Sequence, residues 1–268
     1  YGLDGRIWGG EFLVADYASA RRVAHLESMP MPGGEAAIRN PYRLAVGYVY
    51  ALTGRVPRLP LEANVGEEEL RIIQSQIEQG INCPQTSAGG RLFDAVAALL
   101  GLRLRVSYDA QAAIELEMAA TEAAEAMSLT PSCGGASGPG YALDIDHQAS
   151  DDGKRMAVIR LRGVFEGILE EMRRGVATGE IALRFHITMA ETICATCAQI
   201  AQETGLNAVA LGGGCFQNRL LLALTVPRLR EKGLRVLLHR QVPCNDGGIS
   251  LGQAAIAHAA LEQGGLVD

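Results

Sequence analysis

Three glycines at 212–214 stand where a strand predicted over 208–211 meets a helix predicted over 218–231. Because glycine has no Cβ, backbone amides in such a run can approach a phosphate or a ribose, beside the positive end of the helix dipole. The spacing fits neither the dinucleotide-binding fingerprint nor the P-loop. Two interpretations therefore stay open, a nucleotide-binding loop and a tight structural turn. Asn218 is likewise either a ligand for a hydroxyl group or the N-cap of the helix.

A second polar loop, 243–248, follows the next predicted strand, 235–239, and leads into a helix predicted over 247–261. The carboxyl ends of parallel strands lie along one edge of a sheet, so this loop is expected on the same rim as the glycines. Asp246 in this loop is either a helix cap or a ligand to a hard or borderline cation.

Arg91 and Asp94 lie near the start of a helix predicted over 90–100. Residues three apart share one face of a helix, so the two side chains either pair with each other or bracket a polar ligand. Both interpretations stay open.

The cysteines and histidines predict no self-contained metal site. Cys194 and Cys197 form a C-x-x-C within a helix predicted over 181–204, without a second pair at zinc-finger spacing, which favours a packed core face over a metal or redox site. The five histidines include no HxxxH or HExxH pattern. Six sparse cysteines and the lack of a secretory signal predict a cytoplasmic protein.

The order of the predicted helices and strands that carry these residues indicates an α/β fold. A hairpin over 7–27 is followed by helices, and the second half alternates helices and strands, which builds a mostly parallel sheet. Between them, the stretch 130–155 is rich in Gly, Ser, Pro and Asp, with one strand predicted over 141–145, and marks a boundary. The other predicted helices are 40–52, with Asn40 as its N-cap, 67–79, 108–127 and 161–174.

Composition excludes several classes of protein. The 268 residues include 24 basic and 30 acidic side chains, a net charge of −6, which disfavours a nucleic-acid partner. Apolar residues make up 48%, as in a globular protein, and no apolar run reaches the roughly 18 residues of a membrane span. The chain opens at Tyr1 without a methionine and in the middle of a motif, which predicts a piece of a longer protein.

Seven sequence strings, in order along the chain, carry a family resemblance. They are YGLDGRIWGGEF from 1, MPGGEAAIR from 31, GRLFDAVA from 90, SYDAQAAIELE from 107, RFH from 184, GGCFQN from 213 and NDGGISLGQ from 245. Together they resemble the hydrogenase maturation carbamoyltransferase family HypF. The resemblance implies an actin/Hsp70/sugar-kinase-like two-lobed α/β fold, with mixed sheets and a cleft between the lobes. It assigns 1–130 to the remainder of the first lobe with a helical insertion, and 131–268 to a second lobe with both loops.

The resemblance also implies a reaction. In this family a carbamoyl group passes from carbamoyl-adenylate to the C-terminal cysteine thiol of the partner HypE, on the way to the cyanide ligands of nickel–iron hydrogenase. Carbamoyl phosphate and ATP are handled by further N-terminal domains. By motif, Asp94, Gly213, Gly214 and Asn218 resemble nucleotide-binding residues, and Asp246 resembles a ligand to a divalent metal, which is zinc, iron or magnesium. The metal-binding histidines of the family lie upstream of this chain.

Two positions depart from the pattern of the family, since Gly212 stands where serine is usual and Ala110 where glycine is usual. Rival functions also stay open. They are an O-carbamoyltransferase of the Nod-factor or antibiotic type, a HypE-docking module without catalysis, and a sugar-kinase-like phosphotransferase. With half of the site upstream, we expect this chain alone to be poorly active.

Overall fold

The computed structural model of the protein describes residues 1–56, 65–128, 140–149 and 155–262. None of the helices in these ranges is long and apolar enough to cross a membrane. The elements are β1 (Glu11–Ala15), β2 (Ala20–Leu26), β3 (Met29–Pro30), α1 (Glu35–Arg39), α2 (Tyr42–Thr53), α3 (Glu67–Gln79), β4 (Gln85–Thr86), α4 (Gly89–Leu99), α5 (Gln111–Ala126), β5 (Asp144–Ala149), β6 (Arg155–Arg160), α6 (Arg162–Arg173), α7 (Thr178–Thr204), β7 (Ala208–Ala210), α8 (Arg219–Glu231), β8 (Arg235–Leu237) and α9 (Ile249–Glu262).

The strands form mixed sheets. A four-stranded sheet has the order β1-β2-β6-β5, in which only β2 and β6 are parallel. The strands β7 and β8 pair in parallel, as the alternating second half predicted, and β3 pairs with β4. The predicted N-terminal hairpin is confirmed, since Asp16 closes its turn by accepting the amides of Ala18 and Ser19 at 2.8 and 2.7 Å. The structure is therefore an α/β fold with mixed sheets.

Local sequence signals predicted most helices correctly. The exception is the start of α2, for which Asn40 was the predicted N-cap. The helix α3 has the predicted bounds, and it ends at Gly80 in the left-handed conformation. The prediction that Asn40 caps α2 is wrong, because α2 begins after Pro41 and the Asn40 side chain donates to the Ala36 carbonyl at 2.9 Å. Asn40 therefore ends α1 rather than starting α2.

One apolar core joins most of the helices. It runs from β2 through α2, α4, α5, α6 and α7 to the start of α8. A smaller cluster between α7, α8 and β7 contains Cys194 and Cys197, which are 2% and 9% exposed. Burial raises the pKa of these thiols to about 11 and about 12. The C-x-x-C is therefore a core face, as predicted.

The predicted boundary at 130–155 stays a prediction. Residues 129–139 and 150–154 lie outside the described residues. The strand predicted over 141–145 is found somewhat later, as Asp144–Ala149. The strand β6, at the end of this stretch, was not predicted, although it joins the N-terminal hairpin to β5.

Ala110 is expected to strain the start of α5. Its φ of 61° and ψ of 10° lie in the left-handed region, where a Cβ costs about 1–2 kcal/mol. Glycine there would lose roughly 0.5–1 kcal/mol more chain entropy on folding. Ala110→Gly should therefore raise the free energy of unfolding by about 0.5–1 kcal/mol in urea denaturation. Ala119→Gly, within the same helix, should lower it by about 1 kcal/mol; a loss of stability in Ala110→Gly would contradict the assignment of strain.

Candidate functional site

The two predicted loops lie side by side. The amide of Gly213 donates to the Cys244 carbonyl at 2.7 Å, and a Cβ built on Gly214 would stand 4.0 Å from the Asn245 Cβ. Gly213 has φ 97° and ψ 157°, a conformation that is essentially restricted to glycine. The expected common rim of the two loops is therefore confirmed, and Gly213 is required by the backbone itself.

The glycine loop packs on the start of α4. After Gly213 the chain forms a short 3-10 turn, Gly214–Gln217, which directs Cys215 at the first residues of that helix. A Cβ built on Gly89 would stand 3.3 Å from the Cys215 Sγ, and one on Gly90 would stand 3.8 Å from it. Burial raises the pKa of Cys215 to about 11, so this thiol stays protonated at neutral pH and is a poor nucleophile. The contact brings the loop to the helix that carries Arg91.

Asp94 is buried within this contact and is 3% exposed. Arg91 Nη2 lies 2.9 Å from its Oδ2, which confirms that the two residues pair. Burial raises the pKa of Asp94 to about 6, against the smaller lowering effects of Arg91 and of the Ala113 amide. Since Ala113 lies in the first turn of α5, the Asp94 carboxylate lies near the start of that helix. Arg91 Nη1 is buried with no hydrogen-bond partner in the described part of the chain.

The ionisation of Asp94 should make stability depend on pH. Its pKa is about 6 in the folded chain against an ordinary 3.8, so the folded state holds the proton more tightly than the unfolded state. The resulting stabilisation is complete below about pH 4 and is lost as the pH rises to about 6, with a size of about 3 kcal/mol. Urea denaturation of wild type and Asp94→Asn should show this difference between pH 4 and pH 7. Parallel pH profiles of the two proteins would contradict it.

Asn218 is the N-cap of α8, as one of the two predicted interpretations held. Its Oδ1 accepts the Leu221 amide at 2.7 Å, and its Nδ2 lies 2.9 Å from Nε2 of His186. The other His186 nitrogen, Nδ1, lies 2.8 Å from the Ala182 carbonyl and therefore donates to it. Burial lowers the pKa of His186 to about 4, so this ring is neutral and accepts from Asn218.

The positive end of α8 is already occupied. Glu117, on α5, accepts the amides of Arg219 and Leu220 at 2.7 and 3.3 Å. A carboxylate of the protein therefore stabilises this helix end. In the glycine loop beside it, the Gly214 amide donates to no backbone acceptor in the described ranges and is open to a ligand.

Asp246 is not the helix cap. It is the exposed first residue of a short 3-10 turn, Asp246–Gly248, and the cap is Asn245, whose Oδ1 accepts the Gly247 amide at 3.1 Å. Its carboxylate is therefore available to a ligand. Within the described residues no group of three or more His, Cys, Asp or Glu side chains could hold a metal ion. These residues by themselves do not fit a metal centre, and Asp246 offers one ligand at most.

The structure thus brings the predicted residues to one side of the molecule. The glycine loop touches both the Asp246 loop and the start of α4, and Asn218 follows the loop directly. Sequence analysis missed Glu117 and His186, although both lie in strings that carried the resemblance. Their partners stand 102 and 32 residues away along the chain, and no local pattern indicates such contacts.

Comparison with known proteins shows which family this chain matches. Residues 1–253 match the family described as "Carbamoyltransferase, Kae1-like Domain, second subdomain". The chain is 40% identical over 261 residues to a carbamoyltransferase HypF homolog of Cupriavidus necator, covering 96% of this chain and 62% of the relative. It is 35% identical over 269 residues to carbamoyltransferase HypF of Synechocystis sp., covering 94% and 32%.

Solved structures agree with the sequence relatives. A crystal structure of full-length HypF in the phosphate- and nucleotide-bound form matches with a TM-score of 0.83 and 38% identity, over 98% of this chain and 32% of that one. HypF of T. kodakarensis matches with a TM-score of 0.78 and 28% identity, over 98% and 33%. These matches confirm the predicted actin-like α/β fold. The chain spans about a third to three fifths of the length of these relatives.

Proposed function

Because the chain belongs to the HypF carbamoyltransferase family, we propose that it supplies the nucleotide-holding part of a carbamoyl-transfer centre. The observation that carries the proposal is the packing of the glycine loop between the Asp246 loop and the start of α4. The proposed donor is carbamoyl-adenylate, made from carbamoyl phosphate and ATP. The proposed acceptor is the C-terminal cysteine thiol of HypE, in the synthesis of the cyanide ligands of nickel–iron hydrogenase.

The proposed step balances without an oxidant or a reductant. The thiolate of the acceptor attacks the carbamoyl carbon, a C–S bond forms, and the C–O bond to the adenylate phosphate breaks. AMP leaves with the electron pair of that bond. Backbone amides that face the leaving phosphate lower the energy of the charge that develops there. We assign this contribution to the Gly214 amide, in a loop that has room for a ligand above Gly213 and whose Gly213 amide is held by the Cys244 carbonyl.

Asp94 and Asn218 are proposed to orient the adenosine. Asn218 retains one Nδ2 hydrogen after its contact with His186, and this hydrogen can donate to a ligand oxygen. Asp94 lies beneath the loop, where its carboxylate is ionised above about pH 6 and can accept a ribose hydroxyl. Burial raises the pKa of the Cys215 thiol to about 11 and makes it a poor nucleophile, and the proposed attacking sulfur belongs to the acceptor.

Asp246 is proposed as one ligand to a divalent cation whose other ligands lie outside the described residues. Such a cation, when bound, would polarise the carbamoyl carbonyl. The roles of the loop, Asp94 and Asn218 do not depend on it. Zinc, iron and magnesium all accept a carboxylate ligand, so the structure favours none of them.

A chimera tests the function directly. Residues 1–253 would replace the matching region of carbamoyltransferase HypF of Synechocystis sp., of which this chain covers 32%, and the purified chimera would be incubated with HypE, ATP and labelled carbamoyl phosphate. We expect label on the C-terminal peptide of HypE, detected by mass spectrometry. Gly213→Ala within the chimera should abolish the labelling, and Gly212→Ala should retain it. A folded chimera that binds HypE without transferring label would favour the docking-module alternative and overturn the proposal.

A further inference from the structure

We infer that Glu117 and His186 are positioning residues of the proposed nucleotide site, which hold the first turn of α8 and thereby aim the Asn218 amide. This inference rests on the proposed function and extends it to two residues that do not touch the nucleotide. Glu117 reaches α8 from α5, and His186 reaches it from α7. The Glu117 contact fixes the first turn of α8, and the His186 contact fixes the orientation of the Asn218 amide.

Glu117 connects α8 to the helix start that lies beside Asp94. The Asp94 carboxylate lies near the Ala113 amide at the start of α5, and Glu117 stands four residues further along the same helix. Four residues rise about 6 Å, and the carboxylate at that point accepts the Arg219 amide at 2.7 Å. The first turn of α5 therefore acts as a rigid spacer between the two proposed nucleotide contacts, Asp94 and Asn218.

His186 decides which way the Asn218 amide faces. Its Nδ1 donates to Ala182, so the neutral ring has only an acceptor, Nε2, for Asn218. The Asn218 nitrogen must therefore face His186, and its oxygen must face the Leu221 amide. The rings of Phe93 and Phe185 stand edge-on to the imidazole, with centroids 5.3 and 6.0 Å away, and limit its movement.

A helix cap alone does not require this arrangement. Serine or aspartate would cap α8 equally well through one oxygen, but neither presents an amide donor. The histidine contact uses one Nδ2 hydrogen and fixes the plane of the amide, so the second hydrogen has a defined direction. A donor with a defined direction is useful for recognising a ligand and adds little to a cap.

AMP affinity of the full chain, measured by calorimetry at a temperature at which circular dichroism shows each variant folded, tests the inference. Glu117→Ala should weaken AMP binding about tenfold, because two amides lose a charged acceptor. Glu117→Gln keeps an acceptor oxygen and should stay within about threefold of wild type. His186→Phe keeps the aromatic packing but removes both nitrogens, and should also lose about tenfold. Glu125→Ala, on the exposed side of α5, is the matched control and should bind as wild type does.

Asn218→Ser distinguishes the contact of the amide donor with the nucleotide from the capping of α8, since serine retains the cap oxygen and lacks the amide donor. It should lose affinity as His186→Phe does. Wild-type affinity in folded Glu117→Ala and His186→Phe would overturn the inference while leaving the proposed function standing. Wild-type affinity in Asn218→Ser would overturn the inference together with the proposed contact of Asn218 with the adenosine, and would leave the glycine loop as the proposed site. A wild-type chain that binds no AMP would overturn the proposed nucleotide site, and this inference with it.

Discussion

Replacing Asp94 by alanine is expected to lower the free energy of unfolding by about 3 kcal/mol at pH 7.5 and to remove AMP binding. The substitution leaves the Arg91 guanidinium four-fifths buried without its carboxylate, and loss of one partner from a buried pair costs about 3–5 kcal/mol. We take the lower value because Arg91 retains some exposure. The Ala113 amide at the start of α5 loses a nearby negative charge as well. Urea denaturation and calorimetry with AMP measure the two effects.

Glu170→Ala provides the matched control for this prediction. Glu170 also pairs with an arginine three residues away, Arg173, at 2.5 Å, but both side chains are more than half exposed. Water screens such a pair, so its loss should change stability by no more than about 0.5 kcal/mol. If Asp94→Ala were no more destabilising than Glu170→Ala, the buried pair would not support the site as we describe it.

The second large effect is expected from Gly213→Ala, which should abolish AMP binding. With φ 97° and ψ 157°, Gly213 occupies a region that disfavours any Cβ by about 1–3 kcal/mol. A Cβ there would meet no atom within 4 Å, so the whole effect comes from the backbone conformation. To relieve this backbone strain, the loop must adopt another conformation. That change breaks the 2.7 Å hydrogen bond from Gly213 to Cys244 and moves the Gly214 amide that we assign to the phosphate.

Gly212→Ala is the control for the loop, one residue earlier. Gly212 is outside the positive-φ region, and its added Cβ would make an ordinary 3.6 Å contact with Nε2 of His239. Stability should change by no more than about 0.5 kcal/mol, and AMP affinity by less than about threefold. Equal losses in both variants would show that bulk in the loop, rather than the conformation of Gly213, decides binding.

Much of this architecture could be predicted because its signals are local. Glycine beyond the end of α3 and three acidic residues in its first turn set the bounds of that helix. The strand–glycine–helix order placed both loops on one rim. Asn40 misled the prediction because a side chain between two short elements can serve either of them, and its amide nitrogen bonds backward to Ala36.

The residues that hold the site together could not be predicted in the same way. In the sequence, Glu117 has the pattern of a solvent-exposed residue of an amphipathic helix. Its contact with α8 follows only from the packing of α8 on α5. His186 lies in a buried apolar helix, where a core histidine is the ordinary expectation, and its partner Asn218 was itself ambiguous. Such contacts depend on tertiary packing, and the spacing of residues along one sequence does not indicate them. The consequence is that Asn218, a residue predicted as a possible ligand, also serves as the cap of α8.

The proposed nucleotide contacts belong to connected helices. Asp94 lies near the start of α5, Glu117 on α5 accepts amides of α8, and Asn218 caps α8 beside His186. A nucleotide that contacts Asp94 and Asn218 would therefore touch two points of one connected framework. We expect ligand binding to stabilise α5 and α8 together, because anything that binds only the folded chain raises its stability.

Calorimetric titration of the wild-type chain with AMP, with and without zinc or magnesium, decides whether this chain holds the nucleotide. We expect one site per chain, abolished in Gly213→Ala and Asp94→Ala and retained in Gly212→Ala and Glu170→Ala. If a cation tightens binding in wild type and not in Asp246→Ala, the proposed metal ligand is supported. No AMP binding by the wild-type chain under any of these conditions, or equal binding by Gly213→Ala, would contradict the claim that this chain holds the nucleotide.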